Sequence, residues 1–127
     1  MKFEIAFNGL PPSELMPNRL RRLHWLQRAR VEREARQDAQ LITMEKLQRC
    51  HWEVPSKAVI SFRFEVPDRR RRDTAELVSA CKAWIDGIVD AGVLEDDNCW
   101  RLAIGGADVV LSDKPRTILE IVETERA

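Results

Sequence analysis

Asp73, Glu76, Asp86, Asp90, Asp96 and Asp97 fall within one short stretch of the chain, and Lys82 stands among them. Directly ahead lies the run Arg69-Arg70-Arg71-Arg72. Carboxylates that converge on one point repel each other, and the repulsion is relieved when a cation occupies the middle. Oxygen ligands without Cys or His suit hard ions, Mg²⁺ or Mn²⁺. One or two such ions beside arginines that grip phosphate would make a phosphodiester-hydrolysing centre, in which metal activates water and neutralises charge on the scissile phosphate.

Each of these residues also has an ordinary structural reading. Asp73 followed three residues later by Glu76 is the spacing of a helix N-cap and capping box. Lys82 and Asp86 are i and i+4, the spacing of an ion pair on a helix surface. Asp96 and Asp97 fit a solvated turn, and Trp84 and Trp100 fit a core. His24-Trp25 fits either a substrate-facing position or, for Trp25, core packing.

Charge is distributed in a way the net value of zero conceals. Residues 1–49 balance at +4, residues 50–72 at +3 and residues 73–127 at −7. Sixteen of the 21 basic residues are arginine, whose planar fork makes bidentate contacts to phosphate. The arginines between Arg19 and Arg36 are equally compatible with a solvated helix face. A basic front half joined to an acidic cluster is the more specific pattern, that of a chain that holds a polyanion and directs carboxylates at it.

Composition narrows the alternatives. With 44% hydrophobic and 33% charged residues, the 127-residue chain reads as one folded domain, residues 1–127. No apolar run reaches the roughly 18 residues of a membrane span, so no membrane partner is expected. The N-terminus has no signal-peptide apolar block. Cys50, Cys81 and Cys99 form no CxxC pair, and an odd count suits a reducing cytoplasm. Two histidines, His24 and His51, without HExxH give little support to a zinc hydrolase.

The elements that must position the acidic stretch follow from periodicity. Lys2 to Phe7 alternates as a strand, and Asn8 to Ser13 is a Gly- and Pro-containing loop. One long helix, with room for a single break, is expected from about Pro17 or Arg19 to Gln48, its apolar positions including Ala29, Val31, Ala35, Ala39 and Ile42. Ala58 to Val66 is the clearest strand. A second helix spans Thr74 to about Ala91, with Leu77, Val78, Ala80, Cys81, Trp84, Ile85 and Ile88 on one face and Gly92 closing it. Trp100 to Ile104 and Ala107 to Leu111 read as two short strands around Gly105-Gly106, and Arg116 to Val122 as the last. The expected fold class is α+β: a mixed β-sheet with two main helices packed on it. For Asp96 and Asp97 to meet Asp73, the chain from Trp100 must pair beside the second strand.

The arginine run ending in Asp73, then Lys82-Ala83, Asp86-Gly87, Ala91-Gly92-Val93 and Asp96-Asp97, resembles the signature of the RusA family of Holliday-junction resolvases. The opening strand with Gly9-Leu10-Pro11-Pro12-Ser13 is similar to that family's start. The resemblance implies a Mg²⁺-dependent homodimeric endonuclease, encoded mainly by phages and prophages, that makes paired nicks in four-way DNA junctions. It assigns metal binding and catalysis to Asp73 and Asp97, with Asp96 close by, and a catalytic or phosphate-contacting role to Lys82. Ala75 stands where the family has a second Asp, and Glu76 where it has Asn. The Asp73-to-Lys82 spacing is also about one turn longer. Glu76 supplies the missing carboxylate, or Asp86 does, or the site has lost a ligand. On the leading version Asp73, Glu76, Asp96 and Asp97 hold Mg²⁺ or Mn²⁺. Arg69, Arg70, Arg71 and Arg72, with Arg21, Arg22, His24 and Arg28 of the first helix, then grip DNA. The alternative is a resolvase-like protein that binds junctions but cuts weakly or not at all.

Overall fold

A computed structural model describes residues 1–124. Four strands form one mixed sheet in the order β1-β4-β2-β3. They are β1 (Lys2–Asn8), β2 (Ala58–Val66), β3 (Leu102–Leu111) and β4 (Arg116–Glu123). The helices are α1 (Pro17–Leu20), α2 (Trp25–Leu47), α3 (Thr74–Ala80) and α4 (Lys82–Asp90). β4 runs antiparallel to both β1 and β2, whereas β3 lies parallel to β2. The expected class is the observed one, an α+β domain whose mixed sheet carries two main helical pieces, α2 and the α3–α4 pair.

Alternation along β1 buries Phe3, Ile5 and Phe7 and leaves the residues between them exposed. In β2, Ile60, Phe62 and Phe64 are buried on the same face, beside Leu119 and Ile121 of β4. The helices cover this face. Leu77, Ala80, Cys81, Trp84, Ile85 and Ile88 point into the core, and Trp84 stacks on Phe7 with ring centroids 4.0 Å apart. The opposite face is polar: Lys2 pairs with Glu120 at 3.5 Å, and Arg63 and Arg116 both reach Glu65.

The contact of α2 with α4 depends on small residues. α2 buries only Val31, Ala35, Ala39 and Thr43, one residue per turn. Ala29 is exposed and Ile42 is 38% exposed, so the apolar stripe is narrower than the sequence pattern suggests. A Cβ built on Gly87 of α4 would lie 2.2 Å from the Arg36 carbonyl oxygen and 2.8 Å from Ala39 Cβ. Arg36 secures the crossing by donating two hydrogen bonds to Asp90, at 2.5 and 2.8 Å.

Three sequence expectations need correction. The helix from Thr74 is two helices meeting at Cys81, which adopts φ −82° and ψ −2° while its N–H bonds the Val78 carbonyl three residues back. No Gly or Pro marks the junction, and both pieces bury the same face, so periodicity passes through it unbroken. The two short strands are one strand, β3, that continues through Gly105-Gly106. There the pairing shifts from Ile60↔Ile104 to Phe62↔Ala107, and this bulge absorbs an extra residue. Gly105 is required at this point because a Cβ would lie 2.7 Å from Ser61 Oγ and 2.8 Å from Val59 Cγ1. Trp100 belongs to neither strand nor core: it sits in the turn before β3, 79% exposed.

The long helix is broken once, between α1 and α2. His24 starts α2, its Nδ1 accepting a hydrogen bond from the Leu26 N–H at 3.3 Å. At the other end of the α3–α4 pair, Gly92 adopts φ +97° just past the Ala91 cap, a conformation that L side chains rarely take, and so acts as the expected terminator.

Candidate active site

β2 delivers the chain to the arginine run, α3 and α4 carry it back across the sheet, and β3 returns parallel to β2. The condition set by the sequence is therefore met: the chain after Trp100 pairs beside the second strand. The acidic residues nevertheless gather in two sets. Asp73 and Lys82 stand at opposite ends of α3, whose 7 residues rise roughly 10 Å.

The first set lies at the start of α3. Asp73 is its N-cap, Oδ1 accepting the Glu76 N–H at 3.2 Å. Glu76 Oε1 accepts from Asn18 Nδ2 at 3.0 Å, and Asn18 Oδ1 in turn accepts from Arg21 at 2.7 Å. A cleft of about 370 Å³ opens here, lined by Leu10, Pro11 and Met16 on one side and Arg70, Arg71, Arg72, Asp73 and Glu76 on the other. Asn18 escaped sequence reasoning because it lies in another helix, 58 residues from Glu76, with no local pattern to mark it.

The second set lies at the start of α4. Lys82 Nζ donates to Asp86 Oδ1 at 2.8 Å and to Asp97 Oδ2 on the returning loop. Burial opposes the charge on Lys82, but the hydrogen bonds to Asp86 and Asp97 prevail and raise its pKa. The Asp97 carboxyl is held below its ordinary value, first by its hydrogen bond with Lys82 and against the effect of burial. Asp96 shapes the loop. Its two carboxylate oxygens accept from the Asp97 N–H at 2.7 Å and from Asn98 Nδ2 at 2.9 Å, while Asn98 Oδ1 accepts the Trp100 N–H at 2.9 Å.

Among the described residues, no group of three or more His, Cys, Asp or Glu side chains is arranged to hold a metal ion. Asp86 and Asp97 do form a pair around a cation, the Lys82 ammonium. Mg²⁺ is commonly bound by one or two carboxylates, with water and substrate phosphate completing its shell. The donor chemistry of each set fits that mode, and neither set is a closed cage.

The arginines divide by how their side chains are used. Arg72 is a structural residue: its side chain is only 11% exposed, and it bonds Asp68 Oδ1 and the carbonyls of Asp68 and Arg70. The Asp68 carboxyl is held low, first by the Arg70 backbone N–H and then by Arg72. Arg69, Arg71 and Arg22 are exposed, with no hydrogen-bond or ion-pair partner for their side chains among the described residues. Arg28 is engaged with Glu32 at 3.0 Å, and Arg21 with Asn18. His24 spends Nδ1 on capping, and its neighbour Trp25 is 69% exposed, so Trp25 is not core.

Another cleft, about 610 Å³, lies around the turn between β3 and β4. Its acidic wall, Glu65, is already neutralised: Arg116 donates to it at 2.9 and 3.3 Å and holds its pKa low, with Arg63 at 3.2 Å. Asp113 and Lys114, exposed on the same turn, complete its charged lining. Cys50 and Cys99 are exposed and Cys81 is buried, all three as free thiols. Among the described residues, no helix is long and apolar enough to cross a membrane.

Compared with known proteins, the chain matches no family model and no curated sequence. The likeness to the RusA resolvases thus rests on the residues quoted for it above.

Proposed function

We propose that this protein is a metal-dependent, structure-selective endodeoxyribonuclease that resolves four-way or otherwise branched DNA by paired nicks. The observation that carries the reading is the Lys82 cluster, in which an ammonium gathers Asp86 and Asp97 from two separate segments. Phosphodiester chemistry uses both signs of charge at one place, and this cluster supplies both. Asp73, Glu76, Asp96 and Asp97, with Asp86, are the proposed ligands of Mg²⁺ or Mn²⁺. When bound, such an ion supplies an activated water and neutralises phosphate charge. Lys82 holds a positive charge at the same point, and the uncommitted Arg22, Arg69 and Arg71 are suited to the DNA backbone.

A homodimer working in a reducing cytoplasm completes the proposal. β3 is an edge strand that leaves Ile104 64% and Leu111 51% exposed. An exposed apolar edge of this length is the kind that native proteins cover. A two-fold axis would set two sites on opposed strands of a junction.

The test is incubation of the purified protein with labelled four-way junction and linear duplex, in Mg²⁺ or EDTA, beside Asp73→Asn and Asp97→Asn. Symmetric nicking of the junction that needs Mg²⁺ and either carboxylate is the expected result. A second reading is favoured by the separation of the two acidic sets: a junction-binding protein on a nuclease-like scaffold. Tight junction binding with no cutting in Mg²⁺ or Mn²⁺ would select it.

A further inference from the structure

We infer that the cleft between α2 and α4 is the entry for the nucleic-acid phosphate, and that Arg33 is the residue that receives it. This rests on the nuclease reading and adds a residue and a path. The cleft, about 340 Å³, is lined by Ala29, Glu32, Arg33 and Arg36 from α2 and by Ala83 and Asp86 from α4. Two alanines, one on each helix, keep it open, whereas further along the same helices close at Gly87.

The charges lining it are unequal. Arg36 is committed to Asp90 through two hydrogen bonds, and Glu32 is engaged by Arg28. Asp86 is held by Lys82, which adjoins the lining residue Ala83. Arg33 is exposed, and its side chain has no hydrogen-bond or ion-pair partner among the described residues. A phosphodiester entering the cleft meets one uncommitted guanidinium, whose fork matches two phosphate oxygens. From there it borders Asp86, the carboxylate that links this cleft to Lys82 and Asp97. In the sequence Arg33 is one of the arginines between Arg19 and Arg36 that fit a solvated helix face and a phosphate contact equally, since nothing in the spacing sets it apart.

The experiment measures binding of a labelled four-way junction in EDTA across a salt series, for the wild type, Arg33→Gln, Arg33→Lys and Arg49→Gln. Arg49 removes the same charge at the far end of α2, where it pairs with Glu45. Arg33→Gln is expected to lower the slope of log affinity against log salt by about 1, the signature of one lost phosphate contact. Arg33→Lys restores most of the slope, and Arg49→Gln leaves it unchanged. Equal slopes for wild type and Arg33→Gln, or equal losses for Arg33→Gln and Arg49→Gln, overturn the assignment of Arg33 and leave the nuclease reading standing. Failure of the wild type to bind the junction at low salt overturns both. Thermal melts of the variants confirm that an exposed substitution has left the fold intact.

Discussion

Lys82 and Asp97 are fifteen residues apart in sequence and directly bonded in space, so the first turn of α4 and the loop that follows that helix are tied at one point. The tie ranks Asp97 apart from its neighbour: Asp96 bonds only within its own loop, whereas Asp97 connects the loop to the helix.

Its pH dependence follows from the sign of each shift. The Asp97 carboxyl titrates lower in the folded protein than in the unfolded chain, so its contribution is complete above the ordinary carboxylate range. It is lost as the pH falls from about 4 through the folded value. Lys82 titrates higher when folded, so its contribution holds up to about pH 10 and is lost as the pH rises through the folded value. Asp97→Asn is expected to be less stable than wild type by up to about 1 kcal/mol, the range of partly exposed pairs. Urea denaturation at a series of pH values should show that gap constant from about pH 5 to pH 9 and closing below about pH 4.

Gly87→Ala should be destabilising by about 1–3 kcal/mol, as overpacking is elsewhere. The added methyl meets backbone, the Arg36 carbonyl, and backbone cannot swing aside as a side chain can. Spreading α2 from α4 would also lengthen the Arg36–Asp90 hydrogen bonds, so Arg36→Gln in the Gly87→Ala background should cost less than it does alone. A double-mutant cycle measured by thermal unfolding checks both statements.

Trp84 and Trp100 should respond to substitution in opposite ways. Trp84→Ala empties the layer stacked on Phe7 and is expected to cost about 3–5 kcal/mol. Trp100→Ala removes a side chain that is 79% exposed and is expected to cost less than about 0.5 kcal/mol. Chemical denaturation of the two variants, with acrylamide quenching of the remaining indole emission, distinguishes them.

Thr43 is fully buried, and its hydroxyl has no hydrogen-bond partner among the described residues. Thr43→Val keeps the shape and removes a group whose desolvation is uncompensated. The variant is expected to be more stable by about 1 kcal/mol, read as a rise in melting temperature with unchanged far-UV dichroism.

What could be read from the sequence was whatever repeats locally. Strands β1 and β2 and the buried face of α3–α4 all follow from the alternation or helical recurrence of their apolar residues. The break at Cys81 left no trace because it changes neither the buried face nor the composition. Gly105-Gly106 was misread as a gap between strands, since a bulge is imposed by the neighbouring strand, here Ser61 and Val59, and not by β3 itself. Trp100 was misplaced because indole hydrophobicity favours burial on average and says nothing about one turn. In the candidate site, the i, i+3 spacing of Asp73 and Glu76 and the i, i+4 spacing of Lys82 and Asp86 were visible. Asn18 with Glu76, Arg36 with Asp90 and Lys82 with Asp97 were not, because partners brought together by tertiary folding carry no spacing rule.

The parallel pairing of β2 with β3 has a kinetic consequence. A parallel neighbour cannot form by a tight hairpin; the intervening loop, both helices and the Asp96–Asn98 turn must be traversed first. β3 thus meets β2 only after the chain has paid the closure entropy of that crossover, whereas the contact of Lys82 with Asp97 closes only fifteen residues within it. The pairing of β3 with β2 should accordingly be among the last features to form during refolding, after the local ties of Lys82 to Asp86 and Asp97.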